Sequence, residues 1–245
     1  MTDVERWKAR AAHAALDHVR SGMTVGLGTG STAVHMVREL GRRLATHEVL
    51  DVRGVATSVV TERLAREAKV PLIDLPADGV DVAIDGMDEV TTALDAVKGL
   101  GGALTREKIV AAAAKRFLLI GDRSKRVAVL GDRAPVPVEV IAFGWRRTAE
   151  RLRELGADPV LRTERGEPVV TDNGQLVVDC RMRGGFDARA FAGAVDALPG
   201  VVAHGLFLGM AERAFLAGPD GIEEVVAPDR PAATGSGAAC ETGRA

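Results

Sequence analysis

The sequence predicts an α/β fold: a mostly parallel sheet covered by helices on both faces, followed by a second, smaller α+β domain. Three observations predict it. Short apolar runs alternate with helical periodicity from residue 24 to residue 120, the pattern of strands buried on both faces by crossover helices. A glycine-rich turn, Gly28-Thr29-Gly30, joins the first apolar run directly to the helix after it. The pattern changes at Ala134-Pro135-Val136-Pro137, beyond which strands come in pairs.

The elements follow in order. Thr2 and Glu5 have the spacing of a capping box and precede a helical pattern of Val4, Trp7, Ala11, Ala15 and Val19 that ends near Ser21-Gly22. Residues 24–27 read as a buried strand, and Val34, Val37, Leu40 and Leu44 as the face of the next helix. Strand 52–56, helix 61–69, short apolar runs at 71–75 and 80–84, helix 105–115 and strand 117–120 complete the first region. In the second, strand 138–143 precedes helix 145–155, ended by Gly156, and strand 159–162. Runs 169–171 and 175–180 flank Asp172-Asn173-Gly174, a strong hairpin signal. Helix 187–198 and strand 201–208 follow. That order, β-α-β-β-α-β, is the ferredoxin-like split unit. Segments 211–216 and 222–226 return to the first sheet. The expected division is therefore residues 1–133 with 208–228 as one domain, residues 134–207 as a second, and a disordered tail at 229–245, rich in Ala, Gly and Thr.

Composition narrows the function. Of 245 residues, 47% are apolar and 27% charged, the profile of a globular protein. A formal net charge of −2 excludes nucleic-acid binding through bulk charge. Aromatics are 3% with no Tyr, which argues against base-stacking platforms. Cys180 and Cys240 lie far apart and outside any CxxC pattern, so neither a zinc site nor a disulfide framework is expected, and a reducing cytoplasm is the natural setting. No run approaches the roughly 20 apolar residues of a membrane span, so no membrane partner is expected.

Four polar segments follow predicted strands. In Gly26-Leu27-Gly28-Thr29-Gly30-Ser31-Thr32, free N–H groups at a helix start attract an anion, and the hydroxyls of Thr29, Ser31 and Thr32 add donors. A dinucleotide fingerprint fails because Ser31 stands at its last glycine and Thr57-Ser58 where an acidic residue belongs; a Walker loop lacks its Gly-Lys pair. Asp85-Gly86-Met87-Asp88-Glu89 sets three carboxylates at the carboxyl end of a strand, where they repel and need partners. In Lys98-Gly99-Leu100-Gly101-Gly102-Ala103-Leu104-Thr105-Arg106-Glu107-Lys108, Lys98 could neutralise an oxyanion. Glu107, in a first helical turn beside two cations, is expected to stay ionised and accept a proton. Asp122-Arg123-Ser124-Lys125 offers Lys125 as a point charge for phosphate. Singly these read as a capped turn, an acidic turn, a flexible loop and a surface lysine. Together they suit a small phosphorylated substrate and acid–base chemistry.

The same segments resemble the signature segments of the type A ribose-5-phosphate isomerase family, as do Pro137-Val138-Glu139-Val140-Ile141, Val170-Thr171-Asp172-Asn173-Gly174 and Leu198-Pro199-Gly200-Val201-Val202. The resemblance runs in order from about residue 5 to residue 226. It implies a Rossmann-like domain with a small lid domain, interconversion of ribose 5-phosphate and ribulose 5-phosphate, no metal or organic cofactor, and a homodimer or homotetramer. It places the general base on Glu107, with Asp85, Lys98 and Asp88 as further catalytic candidates. The substrate-binding segments fall on Thr29, Gly30, Ser31 and Thr32, on Asp85, Gly86, Met87 and Asp88, on Lys98, Gly99, Leu100 and Gly101, and on Lys125. Two positions depart from the family pattern: Leu100 stands where Gly is usual and Met87 where Ala is usual. Neither removes a reacting group. The five histidines lie outside these segments. Rival readings are an amino-sugar phosphate deaminase or coenzyme A transferase on a similar scaffold, and a sugar-phosphate sensor domain, which would want an attached helix-turn-helix.

Overall fold

A computed structural model describes residues 2–182 and 186–227. Helix α1 (Asp3–Leu16) opens the chain, followed by β1 (Thr24–Leu27), α2 (Ser31–Ala45), β2 (Arg53–Ala56), α3 (Val59–Glu67) and β3 (Val82–Gly86). Two very short strands, β4 (Glu89–Val90) and β5 (Ala96–Val97), lead to α4 (Leu104–Ala112), β6 (Phe117–Asp122) and a 3-10 turn at Arg123–Lys125. The second region holds β7 (Val136–Val140), α5 (Trp145–Glu154), β8 (Ala157–Leu161), β9 (Thr163–Glu164), β10 (Glu167–Pro168), β11 (Leu176–Met182), α6 (Ala188–Asp196) and β12 (Val201–His204). The chain closes with β13 (Leu206–Phe207), β14 (Arg213–Gly218) and β15 (Gly221–Val226).

The main sheet has the order β15-β14-β6-β3-β1-β2. Its strands are parallel except β15, which pairs antiparallel with β14. Side chains alternate across it: Val82 and Ile84 of β3, with Leu118 and Ile120 of β6, join the core under α1 and α2. Ala83, Phe117 and Leu119 face the opposite core with Val110 of α4. Both faces are dry, which is why these strands read as continuous apolar runs.

The second sheet, β12-β7-β11-β8, is wholly antiparallel. With α5 and α6 it encloses its own core of Val136, Val138, Val140, Leu152, Val178 and Val195. The whole β7-to-β12 excursion is inserted between β6 and β14, which pair directly with one another. A three-stranded sheet, β13-β5-β4, lies at the junction.

Several boundaries differ from expectation. Strand 201–208 divides at Gly205, because Gly205 turns its N–H to Pro137 at 2.7 Å and its carbonyl to the Lys98 N–H at 2.8 Å. A Cβ there would collide with the Lys98 carbonyl, so only glycine fits. The apolar run 71–75 joins the sheet through one bridge, Leu72 beside Gly54 of β2, with the Gly54 N–H on the Pro71 carbonyl and the Ile73 N–H on the Gly54 carbonyl. Runs 169–171 and 175–180 are not a long hairpin: they share one bridge, Val170–Leu176, and β11 pairs with β7 and β8 instead. Helix α3 starts two residues early because the Ser58 hydroxyl caps it at the Thr61 N–H. Thr2 caps α1, but Glu5 turns to Lys8 and His35 and leaves the capping box half made. The strands β4, β5, β9 and β10 are two residues each, too short for alternation to reveal. The expected tail at 229–245 lies outside the described residues. Among the described residues no helix is long and apolar enough to cross a membrane.

Candidate active site

The cleft forms where β1, β3 and β5 end. From the first it takes Thr29, Gly30, Ser31 and Thr32, at the start of α2; from the second Gly86, Met87 and Asp88; from the third Lys98, Gly99 and Gly101. Glu107 of α4 and Lys125 of the 3-10 turn close it. Four separate stretches of chain thus meet at the carboxyl edge of a parallel sheet. Two of the expected residues do not line it. Asp85 lies beneath the floor, and Leu100 points its side chain to solvent while its N–H donates to Asp88 Oδ2 at 3.0 Å.

Beneath the cleft sits a buried charge cluster. Lys98 Nζ donates to the Gly86 carbonyl at 2.6 Å and lies 3.0 Å from Asp85 Oδ2 and 3.4 Å from Glu107 Oε2. All three side chains are at least 95% buried. Asp85 Oδ1 also accepts the N–H groups of Thr29 at 3.0 Å and Gly86 at 2.7 Å. Its side chain occupies the place where a Cβ on residue 28 would project, so Gly28 has no substitute. At Gly30, φ is +115°, a second strict glycine requirement. The Phe207 ring lies under Lys98, its centroid 5.4 Å from Nζ.

Two buried carboxyls share one ammonium, and their acidities respond. Burial, then repulsion from Asp85, pushes Glu107 up to about 8. Burial likewise raises Asp85, against the pull of Lys98. Lys98 loses to burial but gains more from Asp85 and Glu107, so its pKa rises and the ammonium persists. The expectation that Glu107 stays ionised is therefore corrected: the helix start and neighbouring cations are outweighed by desolvation. Its Oε2 has no hydrogen-bond partner.

A second correction concerns Thr29. Its hydroxyl turns away from the cleft into a cluster with Thr57 at 2.8 Å, Ser58 at 2.8 Å and Thr61 at 3.0 Å. Thr57 and Thr61 in turn donate to the carbonyls of Leu27 and Gly28. The cluster holds the turn rigid and leaves Ser31, Thr32 and the α2 N-terminus as the donors on that wall. The three neighbouring carboxylates also separate: Asp85 to Lys98, Asp88 to the Leu100 N–H, and Glu89 to the N–H groups of Gly131, Arg133 and Ala134 at 2.6–2.7 Å.

Residue-type reasoning overlooked Arg162. It pairs with Asp179 and donates to the carbonyls of Gly99 at 3.0 Å and Leu100 at 2.9 Å, so it holds the loop after Lys98. It sits 62 residues from that loop, and no local pattern marks it. Of the histidines, His204 is buried beside Lys108, 3.1 Å away. A larger cavity of about 620 Å³ opens on the far side of α4, between Arg66, Leu72, Ile73, Arg106 and Ile109. Its arginines are already paired with Glu62, Asp172 and Asn173, and the buried lysine–carboxyl cluster lies at the smaller cleft. Among the described residues no group of three His, Cys, Asp or Glu could hold a metal ion.

A parallel sheet with an anion-binding turn and a buried lysine between two carboxyls defines an α/β protein equipped for proton transfer on a small anionic substrate. Comparison with known proteins makes this specific. Residues 53–221 match the model of the family described as ribose 5-phosphate isomerase A (phosphoriboisomerase A), and the chain belongs to that family. It is 53% identical over 228 residues to ribose-5-phosphate isomerase A of Roseiflexus sp. (strain RS-1), covering 92% of this chain and 98% of that protein. A D-ribose-5-phosphate isomerase solved in complex with phospho-erythronic acid superposes with a TM-score of 0.89 at 36% identity, covering 92% of this chain and all of that one. Ribose 5-phosphate isomerase A from Methanocaldococcus jannaschii gives 0.86 at 38% identity over 91% of this chain and 99% of that one.

Proposed function

We propose that this chain interconverts D-ribose 5-phosphate and D-ribulose 5-phosphate through an enediolate. The observation that carries the reading is Lys98, buried between Asp85 and Glu107 at the floor of a cleft walled by an anion-binding turn. The substrate phosphate sits at the α2 N-terminus, against Ser31, Thr32 and Lys125. Lys98 faces the sugar, with Asp85 behind it; the pair acts as one unit that moves a proton between ring and hydroxyl oxygens and opens the furanose. Ionised Glu107 takes the proton from carbon 2 of the open aldose. The C2–H electron pair forms the carbon–carbon double bond, and the aldehyde oxygen becomes the enediolate oxygen, held by Lys98 and the loop N–H groups. A proton passes from the oxygen on carbon 2 to that on carbon 1, and Glu107 returns its proton to carbon 1. Asp88 orders the loop through the Leu100 N–H. A base with a pKa raised by burial to about 8 is well matched to this step.

The same reading includes residues 1–133 with 208–228 as the catalytic domain and residues 134–207 as a lid, a homodimer or homotetramer, no metal or organic cofactor, and a cytoplasmic location. Buried, unpaired Cys180 fits the last. The phospho-erythronic acid bound by the solved relative combines a phosphate with a carboxylate, the charge pattern that this cleft would meet in an enediolate. Conversion of ribose 5-phosphate to the ketose by purified protein with chelator present tests the proposal. Turnover lowered about 10²–10⁴-fold by Glu107→Gln is the expected result; sugar phosphate bound without turnover by the parent protein would leave only a binding protein.

A further inference from the structure

Glu139 is completely buried in the middle of β7, opposite Val177 of β11 and Ala203 of β12. A carboxylate in such a place needs strong donors, and its three donors come from two segments, α4 and the Thr171–Gln175 turn. Thr105 in the first turn of α4 donates its hydroxyl, Thr171 donates at 2.6 Å, and Asn173 Nδ2 donates at 3.1 Å. Asn173 then accepts from Arg106 Nε through Oδ1 at 2.9 Å, and Arg106 also donates to the Asp172 carbonyl at 2.8 Å. Asp172 Oδ2 accepts the Val59 N–H, the first residue of α3. The Thr171–Gln175 turn is therefore a clasp, anchored on Glu139, that grips two helices of the main sheet.

Helix α4 needs that grip. Its N-cap residue is Ala103, which offers no side-chain acceptor. Thr105 and Glu107 are two residues apart, about 200° around a helix, so they face opposite sides: one the clasp, the other the cleft. Glu107 Oε2 makes no hydrogen bond and meets Lys98 Nζ as an ion pair at 3.4 Å, so the rotation of α4 contributes to where it is aimed.

We propose that Glu139 is a positioning residue for Glu107: through the Thr105 hydroxyl it sets the rotation of α4 that aims the Glu107 carboxyl at the substrate carbon. This rests on the reading of Glu107 as the base. Three variants test it by kcat and KM on ribose 5-phosphate, with thermal unfolding as the check on folding. A displacement of about 1 Å at a reacting group is enough to cost on the order of 100-fold, so Thr105→Val lowers kcat about 10- to 100-fold with KM nearly unchanged. Thr105→Ser, which restores the hydroxyl, keeps the parent kcat. Glu139→Gln lowers kcat as Thr105→Val does, and the double variant is no slower than the slower single, because both interrupt one link. A folded Thr105→Val protein with parent kcat overturns the proposal, as does a change confined to KM or a double variant whose losses multiply. Should Glu139→Gln fail to fold, the Val and Ser variants of Thr105 still decide. Glu107→Gln separates the two claims: if it retains turnover, the reading of the base fails; if it is inactive while Thr105→Val is normal, only the positioning role fails.

Discussion

Lys98 Nζ and Glu107 Oε2 stand 3.4 Å apart as a buried ion pair at the floor of the cleft, close enough that each governs the charge of the other. Burial raises the Glu107 pKa most, repulsion from Asp85 adds to it, and Lys98 opposes both. Asp85, 0.4 Å nearer to the same nitrogen, takes the larger share.

Glu107→Gln keeps shape and volume while removing the ability to take a proton. A positioned base supplies about 10²–10⁴-fold, so kcat for ribose 5-phosphate falls by that order and KM changes far less. Steady-state kinetics on the purified variant check this.

Because Glu107 must be ionised to act and burial pushes its pKa up to about 8, kcat/KM rises with pH through about 8 and levels off above it. Folding stability moves the other way. The folded state keeps a proton that the unfolded chain loses near the ordinary value of 4.5, so the Glu107 contribution is full below that value and declines as pH rises to about 8. Denaturation across this range shows a slope that Glu107→Gln flattens.

Lys98→Met removes the only charge that balances two buried carboxyls in the cluster. Breaking a buried pair costs about 3–5 kcal/mol, moderated here because both carboxyls can retain protons. Turnover falls by about 10²-fold or more with the loss of the oxyanion partner. A variant with parent activity would remove Lys98 from the mechanism.

Lys125 is a point charge at the rim, unlike the buried triad. Lys125→Ala raises KM for ribose 5-phosphate about tenfold and weakens inhibition by inorganic phosphate, with kcat little changed. Unaltered phosphate inhibition would place the phosphate elsewhere.

Thr29→Val is predicted to act on stability. Its hydroxyl serves Thr57, Ser58 and Thr61, so the variant loses about 1–3 kcal/mol, the cost of buried partners left unsatisfied. A normal melting temperature with a raised KM would return the hydroxyl to the phosphate.

The parallel sheet and its carboxyl-end site were legible because Val82–Gly86 and Phe117–Asp122 are dry on both faces and read as apolar runs. Lys98 and Glu107 were legible as charges flanking a glycine loop. Their ionisation was not: local sequence shows Arg106 and Lys108 beside Glu107, whereas the acidity is set by burial and by Asp85, 22 residues earlier in the chain. The Thr29 hydroxyl was misread for the same reason, since its partners arrive from the next strand-to-helix turn. Arg162 and the split at Gly205 depend on contacts between the two sheets, which periodicity within either sheet does not encode.

The second sheet is spliced into the connection between two strands that are already neighbours, β6 and β14. In evolutionary terms that insertion point is permissive: the excursion could lengthen, shrink or be exchanged without reordering the main sheet. What it could not surrender is one turn, Thr171–Gln175, and one arginine, Arg162. A shortened descendant would keep its reactive groups and lose their alignment, so drift in this half of the gene would surface as slow enzymes rather than as unfolded ones.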